Sequence, residues 1–418
     1  MKLKAGTLFM VLIISFIITL LMSALIYYAY LNRLVVFENQ LEDRLEANAR
    51  SGINILLSKN GIESDSVTLD LFDQQTDSVQ IVKRVWGIFD VAIIKAFSGV
   101  HQNQKVFQYG QSYDPAKRFA LYLTDQDRPI SIAGSTLIKG DVFLPQAGIR
   151  STYINGKPYE RDQLVFGKQK YSEKQITALN EETKSSVLDF LKSDSLLLTQ
   201  FLNKTKRIAT NNVYQPFDRP TLLIMLDNKD FTITNSIKGN VIIVAKQPIV
   251  IDRSAQISDA LIFAPAVEIH DGFSGNLQVF VTDSLKVGDD CRFTYPSVLG
   301  LIKKENTDTQ PFIHIGENTS VKGIVFTEMQ TQDLKQTMIE LKKNASVEGI
   351  LYSNGFLHLL GNVFGTVYCN RFVLKTPVTY YENHMLDVQI DQSRLSPYFV
   401  SSSLFGEKNQ KKVIKWLR

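Results

Sequence analysis

Hydrophobic and polar positions divide this chain into three regimes. The first is an apolar run, TLFMVLIISFIITLLMSALIYYAY, inside a stretch without charge from Ala5 to Asn32, with Lys2 and Lys4 before it and Arg33 after it. A helix over that stretch is roughly 40 Å long, enough to cross a hydrocarbon core of about 30 Å with some tilt. In the second regime apolar positions recur in steps of three and four at Leu34, Phe37, Leu41, Leu45, Ala49, Ile53 and Leu56, with Glu38, Glu42, Asp43, Arg44 and Glu46 on the other sides. This is the period of an amphipathic helix. No proline interrupts it before Gly61, and Gly52 is its one mild weak point. The pattern predicts one helix from about Thr7 to Ser58, a transmembrane anchor over 1–32 continuous with a stalk over 33–60.

The third regime is a repeated phrase: an apolar residue, a spacer, Gly or Asp, another spacer, then more apolar residues. It begins at Ile237 (IKGNVI), Ile257 (ISDALI), Phe273 (FSGNL), Val321 (VKGIVF), Val347 (VEGILY) and Val363 (VFGTVY), in steps of 20, 16, 48, 26 and 16 residues. A degenerate copy near Phe293, with Pro296 and Ser297 in place of the glycine, divides the long step. Irregular repeats of this size, built of short β-branched segments and glycine corners, predict a β-solenoid whose coils are stable only against their neighbours. The corner positions are Gly239, Asp259, Gly275, Gly323, Gly349 and Gly365. Asn-Gly and Asp-Gly hairpin turns are scarce here, which disfavours an open sandwich.

One copy, IKGDVF at Ile138 with its corner at Gly140, lies far upstream, and YSEKQITALNEETKSSVLDFLKSDSLLLTQFLNK, rich in helix formers, separates it from the rest. Leu188, Leu191, Leu196 and Leu198 lie on the apolar side of that segment. The economical reading takes residues 130–145 as the first coil and 146–220 as a helical insertion that interrupts the stack. Residues 61–129 then form a β-rich linking region, 221–380 the solenoid and 381–418 a C-terminal tail. The expected fold class is mainly β: an N-terminal transmembrane helix continuing as an amphipathic stalk, then a β-solenoid domain with a helical insertion.

Charge and composition refine this picture without redirecting it. The lysine pair before the apolar run, against Arg33 followed by Glu38, Glu42 and Asp43, places the amino terminus in the cytoplasm and the bulk of the chain outside. Tyr27, Tyr28 and Tyr30 cluster at the distal end, where aromatic rings favour the headgroup layer. A cleaved signal peptide has an apolar region of about 7 to 15 residues, and this run is nearly twice as long and ends in tyrosines. With 46 basic and 42 acidic residues the charge is too balanced to argue for a nucleic-acid partner. Cys291 and Cys369 show no zinc-ligand spacing and are expected to be two buried free thiols.

Candidate chemistry is sparse. His314 and His358 occupy equivalent places in IHI and LHL, on a face that alternation turns outward, and are expected to be solvated rather than a ligand pair. Asp289 and Asp290, the best paired carboxylates, are expected to form a corner. The basic segment 407–418, with Val413, Ile414, Trp416 and Leu417 interspersed, is read as a peptide tucked against the last coil rather than one that meets anionic headgroups. No catalytic, cofactor or metal motif is present, and the chain is expected not to be an enzyme.

The leader KLKAG followed by TLFMVLIIS, and the continuation ARSGINILLS from Ala49 to Ser58, resemble type IV pilins and the pseudopilins of type II secretion, the X-type minor pilins in particular. The resemblance covers about the first sixty residues. It implies processing by a prepilin peptidase between Gly6 and Thr7, a bacterial inner-membrane location with a periplasmic domain, and protein partners in a pilus-like or envelope assembly. Val11 stands where the glutamate of major pilins is expected, which points away from a bulk filament subunit. The expected function is thus a non-enzymatic, membrane-anchored structural or assembly protein that displays its solenoid for protein contacts, with membrane lipid as a further partner. Two other readings are a tethered β-helix protein that binds or processes envelope polysaccharide, predicting a line of aspartates, arginines and aromatics on one outer face, and a bactofilin-like scaffold, disfavoured by the outward orientation.

Overall fold

The computed structural model describes residues 5–58, 62, 64–71, 76–192, 212–227, 231–303, 309–329, 335–376, 379–405 and 410–417. The chain forms two compact units, one of residues 1–83 with 93–105 and one of residues 84–92 with 106–418.

In the first unit helix α1 (Ala5–Leu57) runs unbroken through both predicted segments. Leu41, Leu45, Ala49, Ile53 and Leu56 are buried, as the periodicity requires, whereas Leu34 and Phe37 of the same series are exposed. Strand β1 (Ser66–Leu69) pairs antiparallel with β2 (Ser78–Trp86), from Ser66 opposite Val82 to Leu69 opposite Val79. In β2 the buried residues Val79 and Ile81 alternate with partly exposed ones, the pattern of a strand with one packed face. Strands β3 (Phe89–Ser98) and β4 (His101–Ser112) follow them in sheet order. Each buried leucine or isoleucine of α1 contributes about 1.5–3 kcal/mol by leaving water.

The second unit is a closed, barrel-like sheet, almost all of it parallel. Its ladders join the repeat phrases: Ser236–Gly239 to Gln256–Ile269, then to Ser274–Val287, Arg292–Lys303, Ser320–Met329, Ser346–Leu359 and Asn362–Lys375. Val321, Val347 and Val363 lie in register, as do Gly323, Gly349 and Gly365. Ser297 pairs with Gly323, so the degenerate phrase occupies the glycine position. At Gly349 (φ +149°) an added Cβ would stand 1.8 Å from the Gly323 carbonyl oxygen, a backbone approach that no side chain tolerates. Gly140, Gly239 and Asp259 also have positive φ. Gly275 does not belong with them: it pairs with Phe293, two residues out of the expected frame, and gives up its side chain to the Phe273 ring, which would lie 2.6 Å from its Cβ.

The upstream copy is not the first coil of an interrupted stack. Leu121–Leu123 pairs with Val367–Cys369, and Leu137–Lys139 pairs with Gln389–Asp391, so the amino-terminal rungs lie beyond the last carboxy-terminal one. Two domain boundaries change as a result. Residues 381–418 are not a tail: His384–Leu386 and Gln389–Asp391 are rungs, and Lys411–Leu417 pairs antiparallel with β4. Residues 146–220 are helical, among those described, only in α2 (Glu181–Leu191); Ile149–Ser151, Gln169–Tyr171 and Val213–Gln215 are strands with parallel partners. Leu188 and Leu191 are buried on α2 as its pattern implies, and Leu196 and Leu198 lie outside the described residues.

On the outer side of the sheet one column of residues runs in register through Phe263, Phe280, Gly300, Phe326, Tyr352, Tyr368, Tyr122 and Phe143. Phe190 of α2 stacks on Phe263 with ring centroids 4.9 Å apart, and Phe405 packs on Tyr352 and Tyr368. Helix α2 therefore lies along the outside of the sheet and covers part of this column.

Candidate functional site: the exposed apolar helix

Among the described residues of α1, every position from Gly6 to Gln40 is exposed, with Ile26 71% accessible, and the first buried side chain is Leu41 at 7%. The helix is long and apolar enough to cross a membrane by length and composition. Three of its hydroxyls are satisfied within it: Ser15 Oγ donates to Leu12 O, Thr19 Oγ1 to Ser15 O and Ser23 Oγ to Thr19 O, at 2.8–2.9 Å. Hydroxyls bonded back to their own helix are compatible with an apolar solvent. Gly6 and Thr7 lie exposed in the first turn, and nothing comes within 4 Å of where a Gly6 Cβ would be.

Beyond Leu41, Arg44, Glu46 and Asn48 of α1 are tied to residues outside the helix in the same unit. Glu46 accepts from Lys105 Nζ at 2.9 Å, Asn103 Nδ2 at 2.9 Å and Arg50 Nε at 3.1 Å, and donation by Lys105 first of all holds its carboxyl below the usual range. Asn48, buried on the helix, donates to buried Asp77, which also faces Arg44 Nε at 3.4 Å. The exposed apolar portion and the docked amphipathic portion are thus two chemically distinct parts of one helix.

The other candidates are structural. Glu340 stands in register between His314 and His358 and bonds Nδ1 of both, at 2.8 and 3.1 Å, while Lys342 Nζ lies 2.9 Å away. The Lys375 N–H donates to His358 Nε2 at 3.4 Å, which assigns the ring proton to Nδ1, facing Glu340. These donors, His314 foremost, hold the Glu340 carboxyl well below its ordinary range. The expectation of two solvated histidines is corrected: they share the outer face, but His358 is only 6% exposed and both rings bond to the Glu340 carboxylate. Glu340 carries no motif signal; only the register, which sets Ile-His-Ile and Leu-His-Leu on either side of Ile-Glu-Leu, could have exposed it.

Asp290 has φ +56°, and Asp289 Oδ1 accepts the Glu317 N–H at 2.7 Å, so this pair forms a corner. Gly272, Asn318 and Asn344 have positive φ at the equivalent turns of neighbouring rungs, a second series of corners that the repeated phrase does not include. Cys291 and Cys369 are both free and buried. The segment Lys411–Leu417 is an ordered strand on β4, with Trp416 edge-on to Phe107 at 5.3 Å, rather than a peptide against the last coil.

No protein-family model matches the chain, and no curated protein matches it. Among solved structures, the competence-associated pilin ComZ from Thermus thermophilus aligns over 90% of this chain and 94% of that chain, at 10% sequence identity and a TM-score of 0.22.

Proposed function

We propose that this chain is a non-enzymatic, single-pass membrane-anchored subunit of a pilin-like or envelope assembly, and that its rungs form a β-solenoid displayed for contact with partner proteins. The observation that carries the reading is the change in α1 at Leu41, from about thirty-five exposed, mostly apolar positions to an amphipathic stretch docked on strands. Exposed apolar surface of that length is stable in lipid or against like helices and not in water. The lysine leader and Gly6 fit processing before Thr7, and the lysine bias fits an amino terminus on the cytoplasmic side of a bacterial inner membrane, with the bulk of the chain periplasmic.

The solenoid reading is supported by parallel ladders that join successive repeats with conserved register of their valines and glycines. Amino-terminal sequencing of the protein extracted from membranes tests the proposal. A mature chain beginning at Thr7 is expected. An intact Met1 leaves a tethered solenoid without pilin-like processing, and a start near Leu31 overturns the anchor.

A further inference from the structure

A cleft of about 330 Å³ lies on the outer side of the second unit, between the segment 174–178 and the strands that carry Glu328, Tyr352 and Asn370. It is large enough for one or two sugar rings and opens to solvent. Glu328, only 7% exposed, is part of its lining. Asn354 Nδ2 donates to Glu328 Oε2 at 3.2 Å, and Lys184 Nζ stays 3.8 Å from Oε1, longer than a hydrogen bond. The Tyr352 hydroxyl has one proton and is nearer to Thr177 O, at 3.1 Å, than to Glu328 Oε2, at 3.4 Å. Burial accordingly raises the Glu328 pKa. Gln336, in the same lining, has its Oε1 buried without a hydrogen-bond partner.

The remaining wall offers donors held in place. Arg371 Nε is fixed on Gln126 Oε1 at 2.8 Å, and Gln126 Nε2 in turn donates to Asn370 Oδ1 at 3.0 Å, which orients the Asn370 amide N–H groups away from that bond. Ile176 and Met329 supply the apolar part of the lining. The cleft thus combines an under-bonded carboxylate, fixed guanidinium and amide donors, and a small aliphatic surface. Vicinal hydroxyls match this set, since each both donates and accepts, and the C–H face of a pyranose matches the aliphatic wall. The charges of Glu328 and Arg371 are met within the protein, by Lys184 at 3.8 Å and by Glu382 at 3.5 Å, which favours a ligand without net charge.

We infer that this cleft is a binding site for a neutral saccharide unit, with Glu328 accepting from ring hydroxyls and Arg371 and Asn370 donating to them. The inference is independent of the anchor reading and survives its failure. The test is saturation-transfer difference NMR and calorimetry on the full chain in a detergent without a sugar headgroup, with chitobiose, cellobiose, maltose and dialanine as probes, together with sedimentation of the protein on insoluble glycan.

At least one disaccharide is expected to bind, and Glu328→Gln to weaken it by about tenfold or more, the usual effect of losing a hydrogen bond to a charged acceptor. Arg371→Lys, which keeps the positive charge and removes the forked donor, is expected to weaken the same probe. Binding to soluble disaccharide and not to insoluble glycan assigns the site to free sugars; binding to both extends it to polymer. Failure of all the saccharides, binding of dialanine alone, or equal affinity of the parent and Arg371→Lys proteins overturns the inference.

Discussion

Tyr368 lies in register beside Tyr122, ring centroids 6.2 Å apart, although more than half of the chain separates them. The contact joins the last carboxy-terminal rung to the first amino-terminal one. Through it the outer column passes from Phe263 to Phe143 across the junction, and Lys170 Nζ sits 5.3 Å above the Phe143 ring at its end. The segment that returns from those amino-terminal rungs to the far end of the sheet includes α2, whose Phe190 stacks on Phe263. Sequence order and spatial order therefore differ, and the helical excursion serves as a cover along the sheet.

The column has one gap, and its neighbours fill it. A Cβ at Gly300 would stand 2.5 Å from Phe326 Cε1 and 2.9 Å from Phe280 Cδ1. Gly300→Val is expected to lose about 1–3 kcal/mol of stability through overpacking. In the Gly300→Val, Phe326→Ala double variant the freed space takes the new side chain, so the double loss is smaller than the sum of the single losses. Urea denaturation of the four proteins measures this.

Glu340 makes the outer face sensitive to acid. A carboxyl with a lower pKa in the folded chain stabilises above its unfolded value, about 4.3, and that contribution disappears as pH falls through the folded value. Glu340→Gln is therefore expected to cost about 1–3 kcal/mol near neutral pH, and the difference from the parent protein to shrink in acid. Asp252 behaves with the same sign, because Ser254 and then His270 hold it at about 2. Denaturant titrations at neutral and acid pH should show the two stability curves converge; a gap that widens in acid contradicts the arrangement.

In the helical unit, Asp77→Ala leaves the buried Asn48 amide without its acceptor. The expected cost is about 1–3 kcal/mol. Asn48→Ala in the Asp77→Ala background removes the stranded donor and costs little more, so a double-mutant cycle should return a favourable coupling.

Burial raises the Cys291 thiol pKa and pushes that of Cys369 well above its ordinary value. Neither is expected to react with iodoacetamide at mildly alkaline pH in the native protein, and both should react in guanidinium. Rapid labelling of the native chain, read by mass spectrometry, contradicts the burial of these rungs.

Local pattern was enough to establish much of this protein. The helical period from Leu41 to Leu56 depends on one face of one helix, and the recurrence of apolar residues around Gly323, Gly349 and Gly365 depends on turns that only certain residues permit; both kinds of information lie within a few residues of one another. Which rung pairs with which is another kind of information. A parallel strand presents the same backbone donors and acceptors to any neighbour, so nothing near Ile138 indicates that its rung lies beyond Ile390 rather than before Ile237. The outer column, the Glu340 bridge between two histidines and the cleft at Glu328 all come from side chains brought together across rungs. They exist only once the stacking order is set, and that order was decided by the packing of the whole domain.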